Sequence, residues 1–180
     1  MAEKRISWKR RLRNAVRDRL FKRAYRMKLR RIICWKLWQW LTDSSPGAWW
    51  PVHPSSIIIR AERIKLGKGI RPGFSNGCYI QAINGIEFGS YVVIASGASL
   101  VSANHRLENM REHVPSPPIK IGSYCWIGTN AVILPGVELG DCVVVGAGAV
   151  VTKSFPSKVM VAGVPAKIIR HLGDDENLEQ

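Results

Sequence analysis

The sequence predicts a left-handed parallel β-helix, preceded by a basic amphipathic helical arm and interrupted by one extruded loop. Three observations carry that prediction: a period of six from Ile121 to Pro156, the same period upstream from Phe88 to His105, and a polar insertion between the two blocks. Neither the helical period of 3.6 nor the strand period of two gives a repeat of six. A solenoid whose coil has three flat sides does.

The N-terminal arm comes first. Trp8, Leu12, Val16, Leu20 and Ala24 recur every four residues, with Met27 and Ile32 continuing the stripe and Arg side chains filling the opposite face. This is an amphipathic helical pattern. Residues 1–41 hold 15 Lys and Arg against Glu3 and Asp18, so the arm carries +13 of the chain's net +14 and the remainder is nearly neutral. The arm ends in the apolar run Ile32 to Leu41, which as a helix spans about 15 Å, half of the roughly 30 Å of a bilayer core. It cannot cross a membrane. Trp beside Arg suits the headgroup layer of an anionic membrane surface, the expected use of the arm. Packing on the open end of the solenoid is the alternative. Nucleic acid is not expected, because no base-reading motif accompanies the charge.

Residues 42–54 form a linker whose Pro46, Gly47, Pro51 and Pro54 deny it regular structure, with Trp49 and Trp50 placed to plug the first coil. The β-helix is expected over 55–171, its extruded loop over 106–120, and residues 172–180 form an acidic tail.

In the cleanest block an aliphatic residue opens each hexad: Ile121, Ile127, Ile133, Leu139, Val145 and Val151. Gly follows in four of the six. The fifth place holds Cys125, Ala131, Val137, Val143, Ala149 and Phe155. Openers are expected in the narrow interior and fifth residues in its corners, with Gly where the backbone turns. Upstream, Phe88, Ile94 and Leu100 open three more hexads, and Leu66, Phe74 and Ile80 carry the pattern with slips of about two residues. The flat sides of such a solenoid pack on copies of themselves, so a symmetric oligomer is expected. Arg106 to Lys120 breaks the period and ends in Pro115-Ser116-Pro117-Pro118. An insertion that leaves a regular solenoid and returns in register is a loop of the kind that carries function.

Cys34, Cys78, Cys125 and Cys142 show no metal or disulfide spacing, and no metal site is expected. The N-terminus lacks the uninterrupted apolar core of a signal peptide. A reducing, cytoplasmic compartment is therefore expected, with the arm on the inner face of the cytoplasmic membrane.

His105 closes the last upstream hexad, at the rim where the loop departs, and a neutral imidazole there can take a proton from a hydroxyl. Taken together, Phe88 to His105, Cys125-Trp126-Ile127-Gly128, the run Val145 to Lys153 and the run Ala162 to Arg170 resemble the hexapeptide-repeat O-acetyltransferases. Within that family the likeness is to the galactoside/maltose type and its relatives in polysaccharide biosynthesis. It covers about residues 64–171 and leaves out the basic arm.

The resemblance implies a homotrimer with acetyl-CoA lying between adjacent subunits and a glycan acceptor at the catalytic His. His105 would be the general base, and amides near Gly128 and Thr129 would stabilise the oxyanion. Trp126 would wall the acceptor. Ala147 and Thr152 would meet the pantetheine arm, and Lys153, Lys167 and Arg170 the CoA phosphates. Where the family carries an acidic residue that orients the imidazole, spacing places His113, leaving Glu108 or Glu112 as carboxylate candidates; of these the expectation falls on Glu108. Where the family presents an Asn to the acceptor, this chain has Gln81, with Asn84 close by. The expected activity is acetyl transfer to a sugar hydroxyl. Alternatives are sugar-nucleotide N-acetylation, a tethered non-catalytic trimer, or a metal-dependent β-helix hydrolase, for which the four His lack the spacing.

Overall fold

The computed structural model describes residues 29–42 and 44–173. Among the described residues the α-helix α1 (Leu29–Thr42) precedes a chain wound around a three-sided prism. Side one stacks β1 (Ile57–Ile59), β3 (Tyr79–Gln81), β6 (Ser99–Val101), β9 (Val132–Ile133) and β12 (Val150–Val151). Side two stacks β2 (Ile64–Lys65), β4 (Ile86–Phe88), β7 (Ile119–Ile121) and β10 (Glu138–Leu139). Side three stacks β5 (Val93–Ile94), β8 (Trp126–Ile127), β11 (Val144–Val145), β13 (Val159–Ala162) and β14 (Lys167–His171). Every ladder is parallel except β13 with β14, which turns back and closes the end of the solenoid.

The hexad positions fall where the period puts them. All six openers from Ile121 to Val151 are buried, as are all six fifth-place residues from Cys125 to Phe155. The second-place Gly answers to close approach between rungs: a Cβ on Gly122 would lie 2.5 Å from the carbonyl carbon of Gly140 on the next coil. Burial raises the Cys78 thiol above its ordinary value and pushes Cys125 up to about 12, which suits two inert interior residues.

Upstream, Ile80, Phe88, Ile94 and Leu100 are buried as expected. Leu66 and Phe74 are only half-buried, and Ile58, Ile64 and Ile70 fill the interior of the first coil instead. The two-residue slip has a physical form on side two. Both Ile86 and Phe88 in β4, and both Ile119 and Ile121 in β7, point inward, in register with each other. That side is simply longer on those rungs.

The outward residues of side two form a charge ladder. Lys65, Glu87, Lys120 and Glu138 stand on successive rungs, with Lys65 Nζ 2.7 Å from Glu87 Oε1 and Lys120 Nζ 3.6 Å from Glu138 Oε2. The hydrogen bond from Lys65 holds the Glu87 carboxyl below its usual value. Sides one and three instead present Ile57, Val93 and Trp126 to solvent.

The stripe from Trp8 to Met27 and the tail beyond Gly173 lie outside the described residues. The last part of the arm, α1, lies against the first coil. Gln39 is buried, donates from Nε2 to the Trp50 carbonyl at 3.4 Å and accepts from the Val52 N–H at 3.3 Å. Lys36 Nζ reaches the Ala48 carbonyl, and the Trp35 ring meets His53 and Phe74 edge-on at 4.7 and 5.5 Å. The other face leaves Ile33, Leu37, Trp40 and Leu41 exposed. Of the two linker tryptophans only Trp50 plugs the coil, its Nε1 donating to the Pro72 carbonyl at 2.9 Å. Trp49 stands 76 % exposed, because a two-residue spacing is needed to put both rings on one side of extended chain.

Candidate active site

The prism has three edges, and the residues singled out in the sequence sort among them. Gln81, Asn84, the extruded loop, Thr152 and Lys153 lie on the edge between sides one and two. Gly128, Thr129 and Ala147 lie on the edge between sides three and one. Trp126 stands on the outward face of side three, 48 % exposed between Val93 and Val144. Lys167 and Arg170 are on β14 at the end of that side.

The loop returns on itself as a short hairpin. Arg106 N–H donates to the Glu112 carbonyl and Val114 N–H to the Asn104 carbonyl, which brackets His105 opposite His113 as an antiparallel bridge. Their rings lie 4.5 Å apart, tilted by 36°. Glu112 is drawn away by Arg106, at 3.4 Å, and by Asn109 Nδ2, at 3.0 Å. Glu108 is exposed toward the tip, alongside Leu107 at 89 % and Met110 at 66 %. Of the three candidates for orienting His105, the one the structure places on its ring is His113.

Gln81 and Asn84 hold the loop's base. Buried Gln81 accepts from the Ala103 N–H at 3.0 Å, two residues before His105. Asn84 Nδ2 donates to the carbonyls of Ser102 and Val114, both at 2.9 Å, and lies 3.1 Å from Ser116 Oγ, so one amide ties the outgoing leg to the returning leg. This scaffolding leaves no periodic trace, whereas the acceptor contacts expected of the two amides came from the family resemblance.

Gly128 serves geometry. Its N–H is spent on the Val145 carbonyl at 2.8 Å, and a Cβ there would sit 2.6 Å from that oxygen. Of the two residues expected near the oxyanion, Gly128 is buried and Thr129 is exposed. Ala147, Thr152, Lys153, Lys167 and Arg170 are all exposed. The segment after β13 closes the last coil, with Ala166 N–H donating to the Val150 carbonyl and Val150 N–H to the Gly163 carbonyl.

His105 and Thr129 lie on different edges of the prism, with the strands of side one between them. Two shallow hollows of the single chain lie along Glu87, Lys120 and Glu138 on side two and beside Ser44, Ile57 and Glu62 near β1. Neither is lined by His105. Among the described residues no three His, Cys, Asp or Glu side chains converge as metal ligands, and no helix is long and apolar enough to cross a membrane.

Residues 118–153 match the family described as "Bacterial transferase hexapeptide (six repeats)". The chain is similar to the galactoside O-acetyltransferase of Escherichia coli (strain K12), 41% identical over 131 residues. That match spans 71% of this chain and 63% of the relative, less than two thirds of its length. It is also similar to the provisionally named colanic acid biosynthesis acetyltransferase WcaF of the same strain, 30% identical over 162 residues, 78% of this chain and 88% of the relative. Among solved structures, a galactoside acetyltransferase in complex with coenzyme A superposes with a TM-score of 0.64 at 27% identity, covering 90% of this chain and 82% of that one.

Proposed function

The chain belongs to the hexapeptide-repeat acetyltransferases, whose left-handed β-helix it shares, and from that premise we propose that it moves an acetyl group from acetyl-CoA to a sugar hydroxyl. The acceptor class proposed is a surface polysaccharide or lipid-linked glycan precursor, on the strength of the relatives named for galactosides and for colanic acid biosynthesis.

The observation that carries this reading is His105, exposed at the rim where the solenoid opens into the loop hairpin, whose legs Gln81 and Asn84 bind. Its imidazole takes the proton of the acceptor hydroxyl as that oxygen attacks the thioester carbonyl carbon. The oxyanion of the tetrahedral intermediate is met by the Thr129 amide. When the C–S bond breaks, the imidazolium returns the proton to the leaving thiolate, giving the acetyl ester and free CoA. Lys153, Lys167 and Arg170 offer cations to the CoA phosphates, and Ala147 leaves room for a thin amide-bearing arm to lie flat.

The active form proposed is a homotrimer, in which the loop edge of one copy meets the Thr129 and Ala147 edge of the next. Three features favour it. His105 and Thr129 are on different edges, the loop tip exposes Leu107 and Met110, and sides one and three present Ile57, Val93 and Trp126 where side two is charged. The proposed location is cytoplasmic and peripheral, on the inner face of the membrane. The free face of α1 (Ile33, Leu37, Trp40, Leu41) enters the headgroup layer there, and the positive charge of residues 1–41 supplies attraction to anionic lipid.

Free thiol released from acetyl-CoA in the presence of sugar acceptors tests the chemistry. His105→Ala is expected to lower turnover about a hundredfold or more, the usual contribution of a general base, while the oligomer's mass is kept. Retention of most activity would refute the role. Preference for amino sugars, with an amide as product, would replace O- by N-transfer. Co-sedimentation with anionic but not zwitterionic vesicles, reversed by salt, is the expected behaviour of the arm. Equal partition between the two vesicle types overturns it.

A further inference from the structure

We propose that His113 is the positioning residue for His105, acting through ring packing. The proposal rests on the reading of His105 as the base. Its origin is the register of the loop hairpin. Arg106 N–H bonds to the Glu112 carbonyl and Val114 N–H to the Asn104 carbonyl, one residue outside the His105–His113 pair on either side. That makes the two histidines a non-hydrogen-bonded cross-strand pair, in which Cα atoms approach to about 4.5 Å and side chains lie closest. The rings accordingly sit 4.5 Å apart with a 36° tilt, as packed plates.

The surroundings point the same way. His113 is half-buried while His105 is exposed, so the inner ring forms the wall and the outer ring faces an incoming acceptor. The wall is fixed from behind: Val114, the residue after His113, gives its carbonyl to Asn84 Nδ2, and Ser116 shares that amide. On the other leg, Gln81 fixes Ala103. Both strands entering the pair are thus anchored to the second coil of the solenoid, and the freedom left at His105 is that of its side-chain torsions. The His113 plate restricts it. Glu112, next in sequence, is engaged by Arg106 and Asn109 instead. A general base works only within hydrogen-bond reach of its proton, and misplacement by an ångström costs rate without touching substrate affinity.

Steady-state kinetics of the full chain decides it. His113→Ala should lower kcat about tenfold to a hundredfold while KM for acetyl-CoA stays within about a factor of two, because the cofactor edge is untouched. His113→Phe keeps a flat ring without donor or acceptor and should recover most of the loss. A contribution to folding alone would instead change the fraction of active trimer, which titration with CoA reads separately. Wild-type kcat in His113→Ala overturns the proposal. So does a His113→Phe enzyme as impaired as His113→Ala beside an active His113→Glu, since orientation would then run through a hydrogen bond. Activity surviving in His105→Ala removes the base reading itself, a different failure from loss in His105→Ala with none in His113→Ala.

Discussion

Replacing Asn84 with Ala removes the single amide that ties the two legs of the loop together. Two of its three contacts are full hydrogen bonds, to the Ser102 and Val114 carbonyls at 2.9 Å; the third, to Ser116 Oγ at 3.1 Å, shares a hydrogen with them. Neither carbonyl is stranded by the change. Ser102 O keeps the Ser116 hydroxyl at 3.2 Å, and Val114 is exposed enough for water to replace the amide. The cost is therefore that of two net hydrogen bonds without a desolvation penalty, about 1 kcal/mol each and about 2 kcal/mol in all. It falls on loop closure and not on the core, so the open population should rise about thirtyfold, at about 1.4 kcal/mol per factor of ten. Trypsin reads that population directly, because Arg106 and Arg111 are exposed within the hairpin and cleavage of a rapidly opening segment follows its equilibrium. Cleavage at those two sites should accelerate by that factor in Asn84→Ala and in Asn84→Asp, which also lacks the donors, while the urea midpoint hardly moves. Equal cleavage rates in wild type and both variants would show that the loop is held elsewhere and that the staple is incidental.

Three further outcomes are expected. Ile133→Ala, at a fully buried opener stacked between Leu100 and Val151, should cost about 2–5 kcal/mol in urea unfolding at fixed protein concentration, the range for emptying a core site of this size. Burial against α1 lowers the His53 value below 6.5, so the docked state favours the neutral ring. Docking is then complete above about pH 6.5 and weakens as the pH falls below it, which hydrogen exchange of α1 amides should report and His53→Phe should abolish. Iodoacetamide at pH 8 should label exposed Cys34 in the native protein, and Cys78 and Cys125 only after unfolding, since burial holds both thiols protonated.

How far the sequence could be read depended on whether a residue's role repeats. Openers such as Ile127 and corner residues such as Ala131 recur under the same constraint on every coil, so the period exposes them. Ile64 and Ile70 were missed in favour of Leu66 and Phe74 because the inserted stretch between Ile70 and Ile80 shifts the phase, and a wrong phase still finds an apolar residue nearby. His105 was visible because it stands where the period stops. From the sequence, Gln81, Asn84 and His113 are named only through the family resemblance, and what each touches is not legible, for a physical reason. The contacts of Gln81, Asn84 and His113 depend on how the loop returns, and that return is set by cross-strand register in a segment without a repeat. The exposed state of Trp49 beside buried Trp50 belongs to the same class: adjacent residues in extended chain face opposite ways, and composition does not say which one faces in.

The charge ladder on side two carries a rule about coil number. Lys65, Glu87, Lys120 and Glu138 alternate in sign because each rung stacks directly on the next. Excising one coil would bring Lys against Lys or Glu against Glu across the splice, whereas excising two would restore opposite signs. Solenoids lengthen and shorten by whole coils, so on this face changes that preserve parity are tolerated more readily than those that break it, by the few tenths of a kcal/mol that an exposed pair contributes.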